Sequence, residues 1–299
     1  MVPTDAGNFL VGDLAGNALK MTGSVVGLAG MAGNDTLTAG NNGSYLIGDY
    51  FSADLFADNP LSSFYDLSVT GNDLLNGGAG ADIMFGGPGN DTCIGGRGDD
   101  FYVLIGGGID VIREDARGGN DTVMVAATGY TLGRNLENLV FSNFVSNFTQ
   151  NAHGIGNSLN NMIRGGDGND LLEGKGGNDG LSGGVVHDTL IGGTGADVFV
   201  FGVGQENPRA EIFGNNSDTV TDFVSGVDHF LLAAAAFDVA LTRRPDMKAA
   251  QFGLEGTALT GKEVVLYDQD TGILTDKAGH VFASVTPGLA LTYHDFIWA

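Results

Sequence analysis

Cysteine, tryptophan and basic side chains are nearly missing from this chain of 299 residues, which holds one Cys, one Trp and 13 Lys+Arg against 36 Asp+Glu. A lone Cys93 rules out an internal disulfide. The formal net charge of −23 sets the chain against phosphate backbones, which excludes nucleic acid as a partner, and it favours cations instead. The opening residues, MVPTDAGNFLVGD, lack a basic segment ahead of an apolar run, so no Sec signal peptide is read there. No stretch is long and apolar enough for an integral membrane helix. Those two absences taken alone point to a cytosolic protein.

Catalytic spacing is also lacking. The histidines (His153, His187, His229, His280 and His294) are scattered, and no HExxH zinc motif occurs. Residues 180–184, GLSGG, match the G-x-S-x-G nucleophile elbow in letters only, because no strand–elbow–helix context surrounds them. Carboxylate pairs are numerous, but a repeat frame accounts for nearly all of them. The chain therefore reads as a non-enzyme, with no catalytic residues.

Glycine is what the chain has in excess: 51 residues, about 17% against roughly 7% in average proteins. It is concentrated in nonapeptides. Residues 77–103 run GGAGADIMF, GGPGNDTCI and GGRGDDFYV, with glycines at positions one, two and four, Asp at position six and a bulky apolar residue at position eight. So short and regular a period means a solenoid, and GGxGxDxUx is the calcium-binding β-helix pattern. Glycine-rich loops expose carbonyls, Asp adds charge, and calcium is a hard cation that takes six to eight oxygens. The chain resembles the RTX family of secreted calcium-binding proteins. That resemblance implies an all-β fold, a parallel β-roll or β-solenoid in which two nonapeptides form one coil, with a C-terminal β-rich capping and export module.

The frame starts near residue 3. Leu10, Leu19, Leu28, Leu37 and Leu46 fall at position eight, while position six reads Asn8, Asn17, Val26, Asp35 and Ser44. Residues 1–47 are thus a degenerate β-roll with Asp35 as its one consensus ligand. Residues 48–67 break the frame with Tyr50, Phe51, Phe56, Phe64 and Tyr65, read as a loop or short helix over the roll, with a contact patch for a partner or membrane as the alternative. Calcium-binding blocks follow at 68–103 and 156–200, joined by a strand-rich linker, 104–155, in which Arg134 and Glu137 read as a solvated pair. Lys175 replaces a position-two glycine, and Val186 with His187 replaces the Gly-x pair before Asp188, so that loop is expected to bind weakly or in altered geometry; His187 reads as a loop residue, not a ligand.

By the resemblance, several calcium ions bind between loops one coil apart, so ligand Asp residues pair at a separation of eighteen. The pairs are Asp73 with Asp91, Asp82 with Asp100, Asp170 with Asp188, and Asp179 with Asp197. Asp121 and Asn161 are further candidates. The glycines that accompany them are Gly77, Gly78, Gly80, Gly86, Gly87, Gly89, Gly95, Gly96 and Gly98 in the first block. In the second they are Gly165, Gly166, Gly168, Gly174, Gly177, Gly183, Gly192, Gly193 and Gly195. About ten divalent ions would nearly neutralise the chain, and without them the carboxylates repel one another and the roll is expected to be loose or unfolded.

Residues 201–299 form the last region, a cap and secretion signal. Segments 196–205 and 217–232 resemble the module that caps rolls in serralysin-type peptidases and alginate epimerases, with Asp218, Asp222 and Asp228 as candidate ligands and Leu231 where the family carries Asp. Residues 230–240, FLLAAAAFDVA, read as a short helix, and 264–285 as β-hairpins. The tail LTYHDFIWA resembles a signal for a type I export apparatus, which places the protein outside the cell. The leading expectation is a surface-layer, matrix or adhesive component. Its frame begins by residue 3 without room for a polar cap, so it is expected to self-assemble through an open strand edge as a homo-oligomer or filament. Alternatives are an ancillary export or folding module acting with a secreted enzyme, and a membrane-active host-signalling protein.

Overall fold

A computed structural model describes residues 4–6, 9–12, 15–20, 27–49, 70–141, 150–202, 217–235, 247–248, 251–255 and 264–299. Most of the aromatic segment, 50–67, lies outside these, as do Asn8, Val26, the side chain of Leu10 and residues 236–240. The chain falls into two compact units, 1–126 with 133–138, and 127–132 with 139–299. Among the described residues there is no α-helix, and a single 3₁₀ turn occurs at Tyr293–Asp295.

The first unit holds β1 (Thr4–Ala6), β2 (Phe9–Val11), β3 (Ala18–Lys20), β4 (Gly27–Met31), β5 (Thr36–Thr38) and β6 (Tyr45–Asp49). It continues with β7 (Leu74–Ala79), β8 (Ile83–Phe85), β9 (Thr92–Arg97), β10 (Phe101–Leu104), β11 (Val111–Arg113) and β12 (Thr122–Val125). Successive strands alternate between two sheets, ordered β1-β2-β4-β6-β8-β10-β12 and β11-β9-β7-β5-β3. Pairing is parallel and in register with the repeat, as in Leu28 opposite Leu46, Leu46 opposite Met84, and Leu75 opposite Cys93. One departure from the repeat is β1, which pairs antiparallel with β2.

Position eight forms the core because a short strand can turn only alternate residues inward. Leu28, Leu37, Leu46, Leu75, Met84 and Tyr102 are all fully buried in unit one. Cys93 lies in the same file, and burial pushes its thiol well above the ordinary range, as befits a small apolar filler.

The second unit holds β13 (Gly129–Thr131), β14 (Asn138–Phe141), β15 (His153–Ile155), β16 (Met162–Gly166), β17 (Leu171–Gly176), β18 (Gly180–Gly184), β19 (Thr189–Thr194) and β20 (Val198–Phe201). Then come β21 (Asp218–Val220), β22 (His229–Leu232), β23 (Phe252–Leu254), β24 (Val265–Asp268), β25 (Ile273–Asp276), β26 (Val281–Ser284) and β27 (Phe296–Trp298). One sheet runs β14-β16-β18-β20-β22-β27, and the other β13-β15-β17-β19-β21-β26-β25-β24-β23. The file Ile163, Leu172, Leu181, Leu190 and Phe199 is fully buried.

Antiparallel pairing of β24 with β25 and of β25 with β26 makes the hairpins of 264–285. Residues 230–232 are not helical. They belong to β22, which pairs in parallel with β20 and β27, because Phe230 and Leu232 alternate into the core. There Phe230 stacks on Phe223 with centroids 4.4 Å apart and on Phe296 at 5.1 Å. Tertiary packing decides the conformation at the start of this segment.

The turn geometry is imposed by the roll whatever the residue. Gly96 has φ +102, and a Cβ there would stand 2.4 Å from the Gly78 carbonyl oxygen of the neighbouring coil. Where glycine is replaced, the backbone still goes left-handed: φ is +82 at Met31, +79 at Lys175 and +74 at Val186. For a β-branched residue this is a strained conformation, costing about 1–3 kcal/mol. Val186→Gly is therefore expected to stabilise the calcium-loaded protein by about 1–2 kcal/mol, and Gly96→Ala to destabilise it by at least as much. Thermal unfolding in millimolar calcium checks both signs.

Candidate metal centre

Position-six side chains form continuous files along the roll. Most of these carboxylates send one oxygen to the backbone N–H of the position-six residue in the adjacent coil, Asp82 being an exception with both oxygens unpartnered. Asp91 Oδ1 accepts from Asp73 N at 2.9 Å, and Asp100 from Asp82 at 2.7 Å. Asp188 accepts from Asp170 at 2.7 Å, and Asp197 from Asp179 at 2.9 Å. The four pairs separated by eighteen residues are thus brought together. Asp179 Oδ1 also accepts from Asn161 N, and the Oδ1 of Asn161 accepts from Asn157 N.

The files run on through the irregular segments. Asp73 accepts from Asp35 N across 38 residues, Asp110 from Asp91 across 19, and Asp121 from Asp100 across 21. Glu137 accepts from Asp121 N, so one of its carboxylate oxygens extends a file. Asp218 and Asp228 accept from Asp188 and Asp197, extending the files beyond Val200, and Asp222 takes both Gly192 N and Gly193 N. His187 remains exposed, its N–H held by Asn169 and its ring nitrogen facing Ser217 N at 3.1 Å.

A second file, not foreseen, lies at position five. Asn34, Asn72 and Asn90 offer Oδ1 to the backbone N–H of the next coil, at Asn72, Asn90 and Ile109. Asn151, Asn160, Asn169 and Asn178 do the same in the second unit. Asn thus reaches forward along the chain and Asp reaches back. Asn at a turn reads in sequence as an ordinary turn former, which hides this role.

The remaining carboxylate oxygen carries the chemistry. Oδ2 of Asp73, Asp82, Asp91, Asp100, Asp121, Asp170 and Asp179 is buried without a hydrogen-bond partner. It points at the position-one glycine of its own loop. A Cβ at Gly77, Gly86, Gly95, Gly165, Gly174, Gly183 or Gly192 would lie within 2.7 Å of Oδ2 of Asp82, Asp91, Asp100, Asp170, Asp179, Asp188 or Asp197 respectively. Position-two and position-four glycines bring main-chain carbonyls alongside: Gly98 stacks on the Gly80 carbonyl, Gly89 on that of Gly71, Gly193 on that of Lys175 and Gly195 on that of Gly177. Gly87 lies against Asp49, and Gly166 presents its carbonyl to Gly184; Gly168 packs on the Gln150 carbonyl. Buried carboxylate oxygens lacking donors, set among stacked carbonyls, are the donor set of a hard cation. Calcium held there supplies the positive charge that these oxygens lack.

Two groups are richer in acid than the rest. Asp35, Asp49 and Asp73 bring carboxylate oxygens within 4.8 Å of one another, as do Asp100, Glu114 and Asp121. Asp49 and Glu114 are not consensus ligands. The Tyr102 hydroxyl, at the inward end of the second group, donates to Glu114 Oε1.

Burial raises eight of the carboxyl groups named above: Asp73 to about 8, Asp49, Asp100 and Glu114 to about 7, and Asp91, Asp121, Asp170 and Asp179 to about 6. Desolvation is the main cause in each, and like-charged neighbours add to it at Asp73 and Asp49.

Residues 28–42, 68–102, 155–190, 182–200 and 187–205 match the family model described as RTX calcium-binding nonapeptide repeat (4 copies). No curated protein matches the chain. The chain carries RTX calcium-binding repeats, and these repeats bind calcium at several sites.

Carboxyl groups raised by folding hold protons more tightly folded than unfolded. Without metal the fold therefore loses stability as pH rises from the unfolded carboxyl range near 4 through about 8. In chelator, the β signal in circular dichroism is expected to be larger at about pH 5 than at about pH 8.5, and calcium affinity to fall over the same interval as pH is lowered, because protons compete for the same oxygens.

Proposed function

From RTX calcium-binding repeats as the premise, we propose that this chain is a secreted, non-enzymatic protein that folds on calcium outside the cell and serves as a surface-layer, matrix or adhesive component that assembles with copies of itself. The observation that carries the reading is the pair of files of buried carboxylates whose inner oxygens have no donor. Such a stack is unfavourable while charged and metal-free, so the chain stays loose where calcium is scarce and closes where it is abundant. Sites in extracellular modules work at about 10⁻⁴–10⁻³ M calcium, which suits a fold switched on by leaving the cell. Export through a type I apparatus is consistent with a chain that travels unfolded.

Self-assembly is supported by the sheet edge at β3. Among the described residues this strand has a neighbour on one side only, β5, so its outer main-chain groups are available to a further strand. No helix among the described residues is long and apolar enough to cross a membrane.

A calcium titration followed by circular dichroism, with a chelator control, tests the folding step. Conversion from a coil to a β spectrum is the expected result, and a β spectrum indifferent to chelator would overturn it. Light scattering in millimolar calcium tests assembly: the particle mass is expected to grow with protein concentration, and a strictly monomeric species at high concentration would sink that part of the proposal.

A further inference from the structure

Gly48 and Asp49 end β6, yet they also occupy positions one and two of the nonapeptide whose position six is Asp73. The register shows this: Met31, at position two of the preceding coil, lies opposite Asp49, and a Cβ on Gly48 would stand 2.0 Å from Asp73 Oδ2, as one on Gly86 would stand 2.2 Å from Asp91 Oδ2. Positions one and six are five residues apart in a regular loop, whereas Gly48 and Asp73 are 25 apart. The chain between positions one and six of this unit is thus twenty residues longer than in a regular loop.

At the mouth of that turn a carboxylate replaces glycine. Asp49 is 3% exposed, and both of its oxygens are buried with no hydrogen-bond partner. Among the described residues no basic side chain pairs with Asp49 or Asp73. The three carboxylates of Asp35, Asp49 and Asp73 converge within 4.8 Å. Glu114 repeats the arrangement: it stands beside Gly95, opens the turn that carries extra residues before Asp121, and has Asp100 and Asp121 around it.

The structure assigns to Asp49 the role of a third carboxylate ligand, making Asp35–Asp49–Asp73 a cation site distinct from the regular coils. Where a turn is lengthened, a side-chain oxygen stands in for part of the main-chain donor set. With three acidic side chains against two in a regular inter-coil pair, this site binds calcium more tightly than its neighbours and favours trivalent ions further, since calcium affinity is tuned by ligand charge. The assignment rests on the calcium-loaded reading of the roll.

The full-length chain is compared with Asp49→Asn, which keeps the shape, and with Asp49→Gly, which recreates the consensus Gly-Gly pair. Calcium titration against a competing chelator is expected to show the tightest class of sites weakened roughly tenfold or more for one ion in both variants, with the wild-type β spectrum regained in saturating calcium. Europium excitation spectra give a reading sensitive to ligand charge: about two ions per chain of the three-carboxylate type in the wild type, falling to one in Asp49→Asn. Unchanged affinity in Asp49→Gly, or an unchanged europium signal in Asp49→Asn, overturns the assignment of Asp49. A wild-type chain that binds no calcium overturns the underlying reading as well, so the two failures are told apart.

Discussion

The regular coils depend on carboxylates used from both sides, as Asp91 shows. Its Oδ1 takes a backbone N–H from the adjacent coil, fixing the stack, while its Oδ2 points into the turn with no donor to meet it, and Oδ2 of Asp73, Asp100, Asp170 and Asp179 is placed likewise. Adjacent strands lie about 4.8 Å apart, so neighbouring charges in a file repel by on the order of 3 kcal/mol at an effective dielectric of about 20. The interaction that aligns the roll is therefore also the one that forbids it without cations. Net charge, glycine content and raised carboxyl groups are aspects of this single constraint.

The same constraint explains how the chain tolerates interruption. Twenty residues enter the turn before Asp73, yet Asp35 N still meets Asp73 Oδ1 at 2.7 Å and Leu37 still lies opposite Leu75. Smaller excursions before Asp110 and Asp121 leave the file intact as well. Insertions at a turn change loop length, whose entropic cost grows slowly, whereas a slip within a strand would turn the inward file outward. Beyond Val200 the file ends on Asp218 and Asp228, and stacked phenylalanines take over the core.

Much of this is legible in the letters because a nine-residue period fixes both which residue turns inward and which residues become neighbours. The Leu, Met, Cys and Tyr file follows from that period, and the Asp pairs eighteen apart from the coil of two nonapeptides that the resemblance implies. Asp49 and Glu114 escaped it, since each stands where the pattern requires glycine and the period is lost just beyond. The contact of Glu137 with Asp121 N escaped because it joins residues 16 apart, which is no multiple of the period. The short helix at 230–240 rested on local preference, and strand pairing with β20 and β27 outweighed that preference at its first residues.

By itself the sequence determined the repeat, its handful of chemical positions and its need for positive charge, because these depend on residues close together in the chain. Only the tertiary structure decided which distant residues close the files and where three carboxylates meet. Those contacts span 16 to 38 residues across turns of unequal length, and no local period records them. The nonapeptides that first stand out, residues 77–103, are the regular middle of that stack; its most acidic points lie where the regularity fails.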